Sequence, residues 1–211
     1  MNKKFVAGML ATITITSAVY LKTTYQVLRV IDGDTFETTE HQKIRLSGVD
    51  APELSFCGGQ EAKIALEKLI LGKRLFIKVL FNDKFKRLIS QVYLGNKSIS
   101  QEVVVSGNAY FLNDGDSDTE NLRQASEFAR SKRLGIFGDK CTQTVNPDNP
   151  KCLIKANILS RDGSKYYHFP GCGQYNSTIV QLYMGDQWFC TEQEAVKAGF
   201  IKGSDCFDQK Y

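Results

Sequence analysis

The stretch Val27–Glu53 reads VLRVIDGDTFETTEHQKIRLSGVDAPE and carries most of the information about fold and chemistry in this chain. It places Asp34, Arg45, Asp50 and Glu53 around two apolar runs that alternate as strands do. Carboxylate oxygens are the natural ligands of Ca²⁺, and the arginine fork matches phosphate oxygens. The stretch therefore predicts a hard cation held beside a phosphate diester.

Hydrophobic periodicity extends this prediction along the chain. Val27–Ile31 and Ile44–Val49 are predicted strands around a polar hairpin, in which Asp32-Gly33 is a tight-turn signal. Gln60–Leu71 has apolar residues at helical spacing. The further predicted elements are the strands Leu75–Phe81 and Ile89–Leu94 and the helices Ile99–Val105, Asn121–Leu134 and Glu192–Ala198.

The N-terminus, residues 1–22, is predicted to be a targeting segment. Lys3 and Lys4 precede Phe5–Leu21, which is uncharged and mostly apolar. This run is slightly short for a membrane-spanning helix. We therefore expect a cleaved signal peptide and export to the cell envelope, the periplasm or the medium, with an uncleaved membrane anchor as the alternative.

The net charge of +4 says little about a partner. Without Lys3, Lys4 and Lys22 the chain has 24 basic and 23 acidic residues. Bulk charge therefore does not indicate nucleic acid, and any such binding has to come from local patches.

Composition divides the chain into residues 25–141, a linker at 142–150 that contains NPDNP, and a small cysteine-containing module at 151–207. An even number of cysteines in an exported chain predicts disulfides, although the sequence does not choose the pairing. The six cysteines are Cys57, Cys141, Cys152, Cys172, Cys190 and Cys206.

Residues 25–141 resemble the staphylococcal (thermo)nuclease family. The motifs that carry the resemblance are IDGDTF at 31–36, IRLSGVDAPE at 44–53, DKFKR at 83–87 and LRQASEFARSKRLGIF at 122–137. The resemblance implies an α+β fold with a five-stranded OB-type β-barrel and three helices, followed here by the small disulfide-rich α+β module. It also implies Ca²⁺-dependent cleavage of DNA and RNA to 3′-phosphate ends.

The resemblance assigns roles position by position. Glu53 would hold or deprotonate the attacking water, while Arg45 and Arg87 would contact the phosphate as charge grows on its oxygens. The implied Ca²⁺ ligands are the carboxylates of Asp34 and Asp50 and the backbone carbonyl of Ala51.

The implied substrate-binding residues are Lys84, Phe85 and Tyr110, and one of them departs from the family pattern. The family typically has tyrosine and then glycine before the second arginine, where this chain has Phe85 and Lys86. Only glycine adopts a positive φ without cost. We therefore expect an altered turn in front of Arg87.

The C-terminal part, Lys151–Cys206, resembles a small module attached to some secreted nuclease-like proteins. Its segment FCTEQEAVKAGF at 189–200 also resembles part of the metal-binding domain of the Ada-type alkyl-DNA repair protein. That domain needs paired cysteines, which are missing here. Disulfides are the preferred prediction, and the open alternative is a zinc site formed by His168, Cys172, Cys190 and Cys206.

The leading hypothesis is an exported Ca²⁺-dependent nuclease that acts on DNA or RNA without sequence specificity, as a monomer. The alternative is an OB-type module that binds single strands without cleaving them. A third reading is a disulfide-linked surface protein with an inactive nuclease fold, which Phe85 and Lys86 would support. Binding alone does not need Glu53 or the calcium carboxylates, so their presence favours the enzyme.

Overall fold

The computed structural model describes residues 24–113, 118–206 and 211. The predicted export segment at 1–22 lies outside these residues. Within the described ranges, no helix combines the length and the apolar character that crossing a bilayer requires.

A closed five-stranded barrel forms the first part of the molecule. The strands here are β1 Thr24–Val30, β2 Thr35–Thr38, β3 Lys43–Leu46, β4 Val49–Asp50, β5 Arg74–Asn82, β6 Leu88–Leu94, β7 Lys97–Ser98 and β8 Tyr110–Phe111. The sheet runs β3-β2-β1-β5-β6 and closes because β3 also pairs with β6, in parallel. The predicted α+β fold with a five-stranded OB-type barrel is therefore confirmed.

Three helices cover the barrel: α1 Gly59–Ile70, α2 Ile99–Val105 and α3 Thr119–Ser131. On α1 the fully buried residues Ala62, Leu66 and Ile70 recur at every fourth position, so they form one apolar face. Phe36 and Ile44 are fully buried inside the barrel. Burying such a side chain contributes about 1.5–3 kcal/mol, so this core fixes the strands that carry the site.

Strand β2 differs from the prediction, which treated this region as a polar hairpin. All four residues of β2 are buried, and β2 pairs with both β1 and β3. Its polar residue Glu37 is buried because Arg29 donates a 2.8 Å hydrogen bond to Oε2 and His41 lies 2.9 Å from Oε1. The polar composition of this segment does not look like a buried strand, but Glu37 can be buried there because Arg29 and His41 contact its carboxylate.

The C-terminal part has its own sheet and core. Its elements are β9 Thr142–Gln143, β10 Ile154–Ile158, β11 Lys165–His168, β12 Val180–Gln181, β13 Gln187–Phe189, α4 Glu192–Lys197 and β14 Ile201–Lys202. The four-stranded sheet runs β13-β10-β11-β14. Phe169 and Phe200 are almost fully buried in its core.

All six cysteines form disulfides, as predicted. Cys57–Cys141 lies within the barrel part, whereas Cys152–Cys190 and Cys172–Cys206 lie within the C-terminal part. A core this small gains stability from such cross-links. The segment predicted as a linker, 142–150, begins with β9, which pairs with β12 and so attaches the C-terminal part to the end of the barrel part.

Candidate active site

The barrel places Asp34 and Arg45 side by side. Asp34 directly precedes β2, and Arg45 lies on β3 opposite Thr35. The backbone N–H of Leu46 donates to the carbonyl of Asp34 at 2.9 Å, so the two chain segments are fixed at this point. Nη2 of Arg45 lies 3.1 Å from Oδ2 of Asp34 as a result.

Arg45 is held by four groups. Its Nη1 donates to the carbonyl of Val49 at 2.8 Å and, at 3.4 Å, to that of Leu46. Its Nη2 donates to Oδ1 of Asp50 at 2.6 Å while contacting Asp34. Because the side chain is only 13% exposed, the guanidinium occupies one fixed place between two carboxylates.

Asp34 is the most buried carboxylate of the site. Its Oδ1 accepts from the hydroxyl of Thr35 at 2.7 Å, and its Oδ2 accepts from the backbone N–H of Ala51 at 3.0 Å. Burial raises the pKa of Asp34 to about 6, although the positive charge of Arg45 acts in the opposite direction. A cation beside this carboxylate would offset the cost of burying its charge.

Tyr110 lies directly opposite Asp50 in the β4–β8 pair, and its hydroxyl donates to Oδ2 of Asp50. Burial first, and then the bond to Asp50, raises the pKa of the Tyr110 hydroxyl, which therefore remains a donor. The ring packs on Tyr183, with 5.9 Å between centroids. Tyr110, predicted to bind substrate, has its hydroxyl directed at Asp50 in this structure.

One pocket of about 270 Å³ gathers the predicted groups. Its lining includes Asp34, Arg45, Asp50, Ala51, Glu53 and Arg87, the full set predicted to hold a cation or act on phosphate. Glu53 is exposed, so its carboxylate is open to water. Asp32 completes the floor of the pocket and accepts from the backbone N–H of Asp34 at 3.1 Å.

The donor set of this pocket suits a hard cation. Asp34 and Asp50 offer carboxylate oxygens, and Ala51 offers a backbone carbonyl in the same pocket. Ca²⁺ prefers oxygen ligands of these two kinds and accepts flexible geometry. The residues present therefore fit the implied ion.

Arg87 reaches the pocket from the turn between β5 and β6. Asp83 fixes this turn, because its Oδ1 accepts from the backbone N–H groups of Phe85 and Arg87 at 2.8 and 2.9 Å. Its Oδ2 accepts from Nε of Arg87 at 2.7 Å. Asp83 was not among the predicted site residues, although an aspartate at the start of a short polar turn is a known signal for such bonds.

Lys86 shows what replaces the family's glycine. Its φ is 62°, in the left-handed region that favours glycine. Its N–H still donates to the carbonyl of Asp83 at 3.0 Å. The substitution therefore does not remove the left-handed position of the turn but places a lysine in it.

Phe85 lines the pocket, and Lys84 contacts its ring. The phenyl ring of Phe85 is 66% exposed and forms part of the pocket wall. Nζ of Lys84 lies 5.1 Å from its centroid, and Cζ of Arg87 lies 5.4 Å from it. An exposed ring between two cations can contact a base and its phosphate together.

The zinc alternative in the C-terminal part is not supported. His168, Cys172, Asp205 and Cys206 have ligand-type atoms within 4.8 Å of one another. However, Cys172 and Cys206 are bonded to each other, and Cys190 is bonded to Cys152. With all these thiols in disulfides, the Ada-type resemblance also lacks support.

Comparison with known proteins gives an independent view of the first part. Residues 43–139 match the family described as Staphylococcal nuclease homologue. An uncharacterized endonuclease of Haemophilus influenzae is 32% identical over 133 residues, which cover 61% of this chain and 71% of that protein. The family match begins at β3, so it contains Arg45, Asp50, Glu53 and Arg87 but not β1, β2 or Asp34.

Plant relatives show the same similarity within longer proteins. A probable staphylococcal-like nuclease of Oryza sativa subsp. japonica is 31% identical over 126 residues, covering 60% of this chain and 32% of that protein. A staphylococcal-like nuclease of Arabidopsis thaliana is 32% identical over 108 residues, which cover 51% of this chain and 32% of that protein.

Proposed function

Because the chain belongs to the family of staphylococcal nuclease homologues, we propose that it is an exported, Ca²⁺-dependent nuclease. It would hydrolyse phosphodiester bonds of DNA and RNA, without sequence specificity, to 3′-phosphate ends. The nuclease and endonuclease names of its relatives support a hydrolase of this class. The calcium requirement, the export and the product ends are parts of the proposal.

The observation that carries the proposal is the pocket of about 270 Å³ described above. It combines oxygen donors, two guanidinium groups and one solvent-exposed carboxylate. A phosphodiester repels anionic nucleophiles, so a site that cleaves it has to neutralise that charge. A protein that only binds nucleic acid would need the guanidinium groups of Arg45 and Arg87, but it would not need the exposed carboxylate of Glu53 beside Asp34 and Asp50.

Asp34, Asp50 and the carbonyl of Ala51 would hold the ion. Bound Ca²⁺ would supply Lewis-acid stabilisation of the charge on the phosphoryl oxygens. Arg45 already lies between the two carboxylates, with 2.6 Å to Asp50 and 3.1 Å to Asp34. It balances their negative charge and keeps both side chains at the pocket.

Glu53 and Arg87 act at opposite ends of the reaction. The Glu53 carboxylate takes a proton from water as the water oxygen bonds to phosphorus and the bond from phosphorus to the 5′-oxygen breaks. Arg87 stabilises the negative charge on the departing oxygen, which takes its proton from solvent water because a guanidinium is too weak an acid to supply one. The phosphate remains on the 3′-oxygen.

Replacing Glu53 by Gln tests this assignment directly. We expect cleavage of labelled single- and double-stranded DNA by the disulfide-intact protein with Ca²⁺, and no cleavage with a chelator. Glu53→Gln keeps the size of the side chain but removes the base, so the rate should fall by about 10²–10⁴-fold. Glu61→Gln is the matched control, since Glu61 is exposed on α1 and pairs with Lys140 outside the pocket.

Undiminished cleavage by Glu53→Gln would show that Glu53 is not the base that takes a proton from the attacking water. A folded parent protein that binds DNA in a salt-dependent way, without cleavage and without a calcium effect, would instead support the non-catalytic OB-type binding module.

A further inference from the structure

Tyr183 belongs to the C-terminal part but is buried against the barrel part. It lies in the short 3₁₀ turn Leu182–Met184 and is 2% exposed. Its ring packs edge-on against Phe137, with 5.9 Å between centroids. The buried residues that share its cluster are Ala129, Ile136, Phe137 and Cys141.

The other contact of Tyr183 leads to the pocket. Its ring lies against that of Tyr110 at 5.9 Å, with an angle of 51° between the planes. The Tyr110 hydroxyl donates to one oxygen of Asp50, whose other oxygen accepts from Arg45 at 2.6 Å. The packing of Tyr183 therefore restricts the ring that fixes the Asp50 carboxylate.

A second contact reaches the segment after Glu53. A Cβ atom on Gly185 would lie 2.9 Å from Cζ of Phe56, so this phenyl ring packs directly on the Gly185 backbone. The N–H of Phe56 donates to the carbonyl of Glu53 at 2.8 Å and closes the turn that follows the carboxylate. Gly185 also has φ of 87°, which favours glycine there.

Segment 180–185 is itself firmly attached to the barrel part. β12 pairs with β9, and the N–H of Leu182 donates to the carbonyl of Cys141 at 2.9 Å. Cys141 is bonded to Cys57, four residues beyond Glu53. The segment thus touches the pocket from behind through Tyr110 and through the turn at Phe56.

We propose that segment 180–185 is a structural part of the nuclease site, with Tyr183 and Gly185 as positioning residues for Asp50 and Glu53. The C-terminal part therefore completes the site rather than forming a separate binding module. This inference rests on the proposed function, because it assigns these residues to the same pocket.

Tyr183→Ala in the full chain tests the inference, with Tyr183→Phe as the conservative variant that keeps the ring. Removing an outer partner of a metal ligand lowers activity or metal affinity by about 10–100-fold. Tyr183→Ala removes the support of such a partner, Tyr110, so we expect a loss of about 10-fold in kcat/KM, with more Ca²⁺ needed for half-maximal rate, and near-parental values for Tyr183→Phe. Val196→Ala, exposed on α4, should match the parent.

Amide hydrogen exchange supplies a readout that does not depend on catalysis. In Tyr183→Ala, exchange in residues 50–58 should rise, whereas exchange in β5 and β6 should remain at the parental level. Unchanged exchange at 50–58, or a rise throughout the barrel, would overturn the positioning role. If the parent does not cleave DNA, the proposed function fails, and the exchange comparison still decides whether Tyr183 fixes this segment.

Discussion

Arg45 and Arg87 line the same pocket, but they are anchored in different ways. Arg45 lies on a barrel strand, is 13% exposed and contacts two carboxylates and two backbone carbonyls. Arg87 lies at the end of a hairpin turn, is 27% exposed, pairs with Asp83 and contacts the ring of Phe85, both within the same turn. One arginine is thus part of the architecture, while the other is presented by a local loop.

The largest expected difference between the two arginines is in protein stability when each is replaced by alanine. We expect Arg45→Ala and Arg87→Ala each to lower the cleavage rate by about 10²–10³-fold, because in the proposed site each removes a positive charge that offsets the charge of the reacting phosphate. Only Arg45→Ala should also lower the free energy of unfolding by about 3–5 kcal/mol, since it leaves the buried carboxylate of Asp34 without its counter-charge. Urea unfolding followed by circular dichroism measures the difference, and equal stability losses would contradict the comparison.

A smaller effect is expected from Asp83→Asn. The substitution removes the charge that holds Nε of Arg87 and weakens the turn, while the barrel strands stay intact. A misplaced catalytic group can cost up to about 10²-fold, so we expect a loss of about 10–100-fold in kcat with little change in KM. Asp162→Asn is a matched control, because Asp162 caps a similar exposed turn at Ser164 in the C-terminal part. A parental rate for Asp83→Asn would mean that Arg87 does not need this anchor.

The smallest effect concerns Lys86, which has φ of 62°. A left-handed backbone costs a residue with a side chain about 1–2 kcal/mol, and the extra chain entropy of glycine offsets about 0.5–1 of this. Lys86→Gly should therefore stabilise the protein by about 0.5–1 kcal/mol. Lys84→Gly removes the same charge without a positive φ and should not stabilise, which thermal unfolding of both variants would show.

The site residues that lie close to one another along the chain could be predicted from the sequence alone. Asp34, Arg45, Asp50 and Glu53 lie within twenty residues, on or close to strands whose pairing follows from alternation. Their grouping in one pocket is the outcome that the spacing indicated. The buried character of β2 was missed because its polar residues look solvent-exposed until their partners are known.

The contacts that depend on long-range packing could not be predicted. The meeting of Tyr110 with Asp50 follows from the pairing of β4 with β8, between segments sixty residues apart. Tyr183 reaches Tyr110 only because β9 and β12 bring the C-terminal part back to the barrel. No local pattern around Tyr183 signals this contact, since a tyrosine in a short apolar run, here IVQLYM at 179–184, is also typical of a module's own core.

The disulfide between Cys57 and Cys141 has a further consequence. The bond spans 84 positions in sequence and encloses the hairpin turn with its exposed Lys84 and Lys86. A protease that cuts after either lysine would leave both fragments in one covalent molecule. Each fragment would retain part of the closed barrel, β1–β5 on one side and β6 on the other. The molecule could thus be nicked at the turn that presents Arg87 without coming apart.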